Sequence, residues 1–105
     1  MAAEVVVPPH VEAELARIGD QVALDDRQAA LRLMTRLQEK SLSLAEFPFM
    51  GRRYGDNYRV IVSGRYLVFY RVDEADERVV IVAILHGARH YDLEVLMRRD
   101  RPGLD

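Results

Sequence analysis

The chain has no cysteine, which removes disulfides, thiolate metal sites and cysteine nucleophiles from consideration. Nothing in it points to an oxidising compartment. It also lacks any apolar stretch near the ~20 residues that span a bilayer. Its first residues, Met1-Ala2-Ala3-Glu4, carry neither the basic flank nor the apolar run of a signal peptide. A cytoplasmic protein with no membrane association is therefore expected. Net charge is equally scarce: fifteen basic against seventeen acidic residues leave −2, so no global positive field draws the molecule to nucleic acid. No internal repeat, low-complexity tract or Gly/Ser linker argues for a second domain. There is no His/Asp/Glu set at metal-ligating spacing, and no glycine-rich loop runs from a strand into a helix, so neither metal nor cofactor is expected.

What is present is the composition of an ordinary globular protein. Half of the 105 residues are hydrophobic and 30% are charged. A chain of this length buries somewhat over ~60% of its unfolded surface in one core. A single domain is expected over residues 1–97, followed by a loose, charged tail from Arg98 to Asp105.

Glu4-Val5-Val6-Val7 is a β-branched run stopped by Pro8-Pro9, which reads as a first or edge strand. The second proline suits the first turn of a helix. From there Val11, Leu15, Ile18 and Val22 recur at helical spacing. Gly19 lies inside that pattern and costs about 1 kcal/mol relative to alanine, so the helix is expected to fray or end near it. Asp25 or Asp26 can cap a second helix, whose apolar stripe runs through Ala30, Leu33, Met34, Leu37 and Leu44. Two antiparallel helices joined by a short connection follow.

Phe47-Pro48-Phe49-Met50-Gly51 then breaks the helix, because the residue before proline is pushed toward extended backbone and glycine permits a tight turn. Beyond it lie three strand-like segments, near Tyr58 to Val62, Tyr66 to Val72 and Val79 to Leu85. Ser63-Gly64 and Glu74-Ala75-Asp76-Glu77 separate them as hairpin turns. In the second segment Tyr66, Val68, Tyr70 and Val72 share one face and Leu67 and Phe69 the other. In the third, Val79, Ile81, Ala83 and Leu85 oppose Val80, Val82 and Ile84. Both sheet faces are thus apolar, yet two N-terminal helices cover only one. Contiguous exposed apolar surface marks a partner site. The alternative is that Ala88 to Met97 folds back as a short C-terminal helix whose Leu93 and Leu96 or Met97 cover that face.

The order strand, helix, helix and antiparallel meander, with Phe47-Pro48-Phe49-Met50-Gly51-Arg52 at the helix exit, is followed by three further signatures. They are Tyr58-Arg59, then Tyr66-Leu67-Val68-Phe69-Tyr70-Arg71-Val72, then Ile84-Leu85-His86-Gly87-Ala88-Arg89. This succession resembles the ParE branch of the RelE/ParE toxin superfamily over nearly the whole chain. The resemblance implies an α+β fold and a type II toxin held inactive by a cognate antitoxin, whose C-terminal segment wraps the toxin. ParE-like members poison DNA gyrase. RelE-like members are ribosome-dependent endoribonucleases that cut mRNA, which requires several cations around a phosphate and a group to move protons.

Of the RelE constellation, Arg59 and Arg89 match. The second basic position of the first meander strand is Ile61, the arginine after the strand tyrosine is Leu67, and the downstream tyrosine is Val95. His90 and Tyr91 lie earlier and stand as substitutes if the chain cuts RNA. Losing two cations, at ~1.5–3 kcal/mol per charge-assisted bond, disfavours that chemistry, so gyrase inhibition leads. The alternatives are mRNA cleavage by Arg59, Arg89, His90 and Tyr91, or a non-toxic antitoxin-binding module. For contact with target or antitoxin the candidates are Arg59, Tyr66, Tyr70, Arg71, His86 and Arg89. Arginines in apolar strands either face a groove or form ion pairs with Glu or Asp of the helices. His86 at a strand end is either a proton shuttle or a backbone hydrogen-bonding group.

Overall fold

The computed structural model describes residues 3–87 and 92–100. Strand β1 (Glu4–Val6) leads through Pro8 and Pro9 into helix α1 (Pro9–Asp25), where Pro9 fills a first-turn position that needs no amide donor. Helix α2 (Arg27–Ser43) follows after one residue, Asp26, whose Oδ1 accepts from the Ala29 amide at 3.1 Å and so caps it. Gly19 does not end α1. The Met34 sulfur of α2 lies 3.2 Å from where a Cβ at Gly19 would stand, so the glycine lets the two helices approach closely.

Four strands then run as an antiparallel meander: β2 (Arg52–Tyr54), β3 (Tyr58–Ser63), β4 (Tyr66–Asp73) and β5 (Arg78–His86). β2 is one strand more than the sequence pattern suggested, because three residues with two arginines carry little strand signal. Its register, Arg52 against Val60 and Tyr54 against Tyr58, is set by the tight turn at Gly55. β1 pairs in parallel with the first residues of β5, giving the order β1-β5-β4-β3-β2. Helix α3 (Leu93–Asp100) closes the described chain.

Helices α1 and α2 cover one sheet face, where Val11, Leu37, Leu44, Ile61, Val68 and Tyr70 are buried together. The alternation expected along β4 holds. Along β5 it does not: Phe69 opposes Ala83 while Tyr70 opposes Ile81, so Val82 is an extra residue. Past this β-bulge the faces swap, and Ala83 and Leu85 join the second face while Ile84 turns under the helices. Strict period-two reading cannot see such an insertion.

The second face is not left for a partner alone. Leu96 of α3 is wholly buried there against Tyr58, Val60, Phe69, Val82 and Leu85. Burying one leucine is worth ~1.5–3 kcal/mol, enough to seat a short helix. The folding back of the C-terminal segment is therefore what the structure adopts, with Leu96 rather than Leu93 or Met97 as its anchor; Met97 is 60% exposed. The helix also runs three residues past Met97, so the tail does not begin at Arg98: Arg99 and Asp100 are held by side chains of α1 and β4. Val62, at 55% exposure, marks the part of the second face that α3 leaves open.

Candidate functional site

Arg71 projects from β4 onto the second face. Its Nε donates to both oxygens of Asp100 at 3.0 Å, and the Tyr58 hydroxyl donates to Asp100 Oδ2 at 3.0 Å. The Asp100 side chain is only 5% exposed. The ion pair weighed for Arg71 thus exists, but its partner lies on α3 rather than on either N-terminal helix. Arg59 lies on the opposite face, at the α2–β2 turn. Its Nη1 donates to the carbonyls of Gly51 at 2.8 Å and Phe49 at 3.2 Å, and the guanidinium stands over the Phe49 ring, 5.1 Å from its centroid. Both arginines bond within the fold and lie on opposite faces of the sheet, and Arg59 also lines a hollow with Phe49, Arg53, Asp56 and Glu74.

Tyr70 is not a surface residue. It is fully buried under the helices, and its hydroxyl accepts from the Gly51 amide at 2.9 Å. Burial pushes its phenol pKa above the usual value, against the opposing effects of that hydrogen bond and of Arg59. A strand tyrosine in a small protein looks the same in sequence whether it anchors a turn or an interface. Tyr66 and His86 sit at the far end of β4 and β5, half-buried, with their rings edge to face at 5.3 Å. They border a cavity of about 600 Å³ whose other wall is α1, through Arg17, Ile18 and Gln21. Arg89, His90 and Tyr91 lie outside the described residues. The five contact candidates among the described residues are not one site: Arg71 goes to the second face, Arg59 and Tyr70 to the α2–β2 turn, and Tyr66 and His86 to the α1 cavity.

Sequence reasoning missed the residues that close the sheet edge. β1 covers β5 only as far as Val80. Past it, His10 Nε2 lies 3.0 Å from the Val82 carbonyl, and Glu14 Oε2 accepts from the Ile84 amide at 3.2 Å. Glu14 is 6% exposed, and its other oxygen takes the Arg99 guanidinium of α3. The hydrogen bond to Val82 requires the proton of His10 on Nε2. The available signal was a polar pair at i, i+4 beside the apolar stripe of α1, with one carboxylate too close to that stripe to reach water.

The family model described as the ParE toxin of the type II toxin-antitoxin system parDE matches residues 5–91. The chain belongs to the ParE toxin family. No curated protein sequence matches it. Among solved structures it is similar to the RelBE2 toxin-antitoxin complex of Mycobacterium tuberculosis, at 19% identity over 82% of this chain and 99% of that one, with a TM-score of 0.61. It is also similar to a doubly substituted E. coli toxin RelE in the free state, at 15% identity over 84% of this chain and 86% of that one, with a TM-score of 0.63. At such identities the likeness is one of fold.

Of the positions compared with the RelE constellation, this ParE-family chain carries a cation at Arg59 and apolar side chains at Ile61 and Leu67. Ile61 is 6% exposed and belongs to the core beneath the helices, while Leu67 packs on the second-face core. Val95 lies on α3. Among the described residues no cluster of His, Asp or Glu is arranged to hold a metal ion, and no helix is long and apolar enough to cross a membrane.

Proposed function

We propose that this ParE-family toxin inhibits DNA gyrase, and that a cognate antitoxin neutralises it. The observation that carries the reading is Ile61. A ribonuclease of the RelE kind needs cations converging on one phosphate. Here one such position is an isoleucine inside the core, where a charged side chain would be buried without a partner. Arg59, the other cation on that strand, already donates to two carbonyls. The match to the parDE toxin model supports the same side.

The second sheet face supports an antitoxin partner. Among the described residues it is covered by one short helix through one fully buried leucine and two ion-paired side chains, and Val62 on it is exposed. An antitoxin segment with apolar residues at helical or strand spacing competes with α3 for this face. Supercoiling by purified gyrase, with and without the free toxin, tests the proposal. Inhibition supports it; undisturbed supercoiling together with mRNA cut in translating ribosomes moves the chain to the ribonucleases.

A further inference from the structure

The turn between α2 and β2 exposes three large apolar side chains within four residues: Phe47 at 59%, Phe49 at 50% and Met50 at 46%. Single exposed leucines elsewhere on the surface need no explanation, but a contiguous group does. The turn is also held firmly. Gly51 donates to buried Tyr70, Arg59 grips the carbonyls of Phe49 and Gly51, and Met50 donates back to the Phe47 carbonyl at 3.2 Å. A Cβ at Gly51 would stand 2.6 Å from the Tyr70 hydroxyl and 2.9 Å from the Val60 carbonyl, so the close approach requires glycine. A core tyrosine and a strand arginine thus fix the turn that carries two exposed phenyl rings, which lowers the ordering cost of binding something there.

Positive charge flanks the rings along the chain. Arg52 and Arg53 follow on edge strand β2, and Arg36 and Lys40 occupy the later turns of α2. Met34 meets α1, and at ~100° per residue Arg36 lies on the flank turned away from it. All four cations are exposed, and none forms an ion pair among the described residues. Arg36 and Lys40 are like charges at i, i+4, a spacing that disfavours a helix left alone in water. Glu46 is the one carboxylate in the sequence from Leu44 to Arg53, with Glu39 beside Lys40 on α2 and Asp56 and Glu74 lining a hollow together with Phe49 and Arg53.

We propose that the corner from Phe47 to Arg53, with Lys40 beside it, grips the toxin's protein target. The partner surface has an apolar socket for the two rings and a rim of carboxylates. The inference rests on the gyrase reading in naming that target as gyrase. Phenylalanine, methionine and arginine are the residues enriched where proteins meet. Single-stranded nucleic acid fits less well, because base stacking uses free ring faces and Arg59 already occupies one face of Phe49. Arginines on an edge strand also discourage sheet-to-sheet pairing, but that role leaves the rings unexplained.

The test uses the full chain with two double variants. Phe47→Ala/Met50→Ala leaves the Arg59–Phe49 contact intact, and Arg52→Glu/Arg53→Glu reverses the rim; unchanged thermal melting shows that both fold. Affinity for gyrase is measured at low and high salt, and affinity for a labelled single-stranded oligonucleotide in parallel. Each variant is expected to lose roughly tenfold or more in gyrase affinity, as truncated contact-centre residues do, and the charge reversal also to flatten the salt dependence. Variants that bind and inhibit gyrase like the wild type overturn this inference alone and leave the gyrase reading standing. A wild-type chain without effect on gyrase overturns both. Loss of oligonucleotide binding with gyrase affinity intact overturns it in favour of a nucleic-acid surface.

Discussion

Arg71 and Asp100 form a bifurcated contact, both carboxylate oxygens 3.0 Å from Nε, that ties the end of α3 to the middle of the sheet. Tyr58 adds a third hydrogen bond to the same carboxylate. Asp100→Ala is expected to lower stability by about 1–2 kcal/mol, the value of a charge-assisted bond discounted for the part of Arg71 that meets solvent. Urea denaturation measures the loss. Amide exchange over residues 93–100 is expected to speed up far more than exchange in β4.

Leu96 anchors the same helix by packing alone. Leu96→Ala is expected to destabilise by about 2–3 kcal/mol and to expose enough of the second face to bind an apolar dye. If α3 detaches as a unit, the Leu96→Ala/Asp100→Ala double variant costs little more than the larger single change. Full additivity would show that the helix stays docked in each single variant.

Gly51 and Tyr70 join the exposed turn to the core. Gly51→Ala is expected to cost about 1–3 kcal/mol, because the hydroxyl and the carbonyl it would strike are both held in place. Tyr70→Phe leaves the Gly51 amide without its acceptor and is expected to cost about 1–3 kcal/mol at neutral pH. The sign with pH follows from the raised phenol value in the folded chain. Its stabilisation is complete below the unfolded value of about 10 and is lost as pH climbs through the higher folded value. Wild-type melting temperature should therefore fall more steeply than that of Tyr70→Phe as pH rises above about 10 toward the folded value.

Glu14 joins α1, the open edge of β5 and α3 through one carboxylate. Glu14→Gln keeps an acceptor for the Ile84 amide and loses the charge pair with Arg99; Glu14→Ala loses both. Exchange of the Ile84 amide, read by NMR, is expected to accelerate in the alanine variant and to stay near wild type in the glutamine variant. The alanine variant is expected to be less stable by about 1–3 kcal/mol.

These residues show what was legible in the sequence. The helices, the three longer strands and the two-sided character of the sheet follow from periodicity in Val11 to Val22, Ala30 to Leu44 and Tyr58 to Leu85, because burial imposes those periods. The bulge at Val82 and the brief β2 escape periodicity, one by inserting a residue and the other by being too short. The candidate site was less legible. Arg59, Arg71 and Tyr70 were conspicuous as polar groups in apolar strands, yet that position suits an internal anchor as well as a contact residue. Only their partners, Phe49, Asp100 and Gly51, tell the two apart. In sequence Phe47 and Phe49 read only as members of the segment that Pro48 and Gly51 break, since the exposure of a turn residue is decided by which neighbours hold it.

Whether this ParE-family toxin acts on gyrase is decided by counting cleaved DNA. Purified gyrase and supercoiled plasmid are incubated with the free toxin, stopped with detergent and digested with protease, and linear plasmid is quantified. A gyrase-directed toxin yields linear DNA that rises with toxin, requires gyrase and is abolished when the cognate antitoxin is added. No linear DNA above the toxin-free control, with supercoiling proceeding at its normal rate, would contradict it.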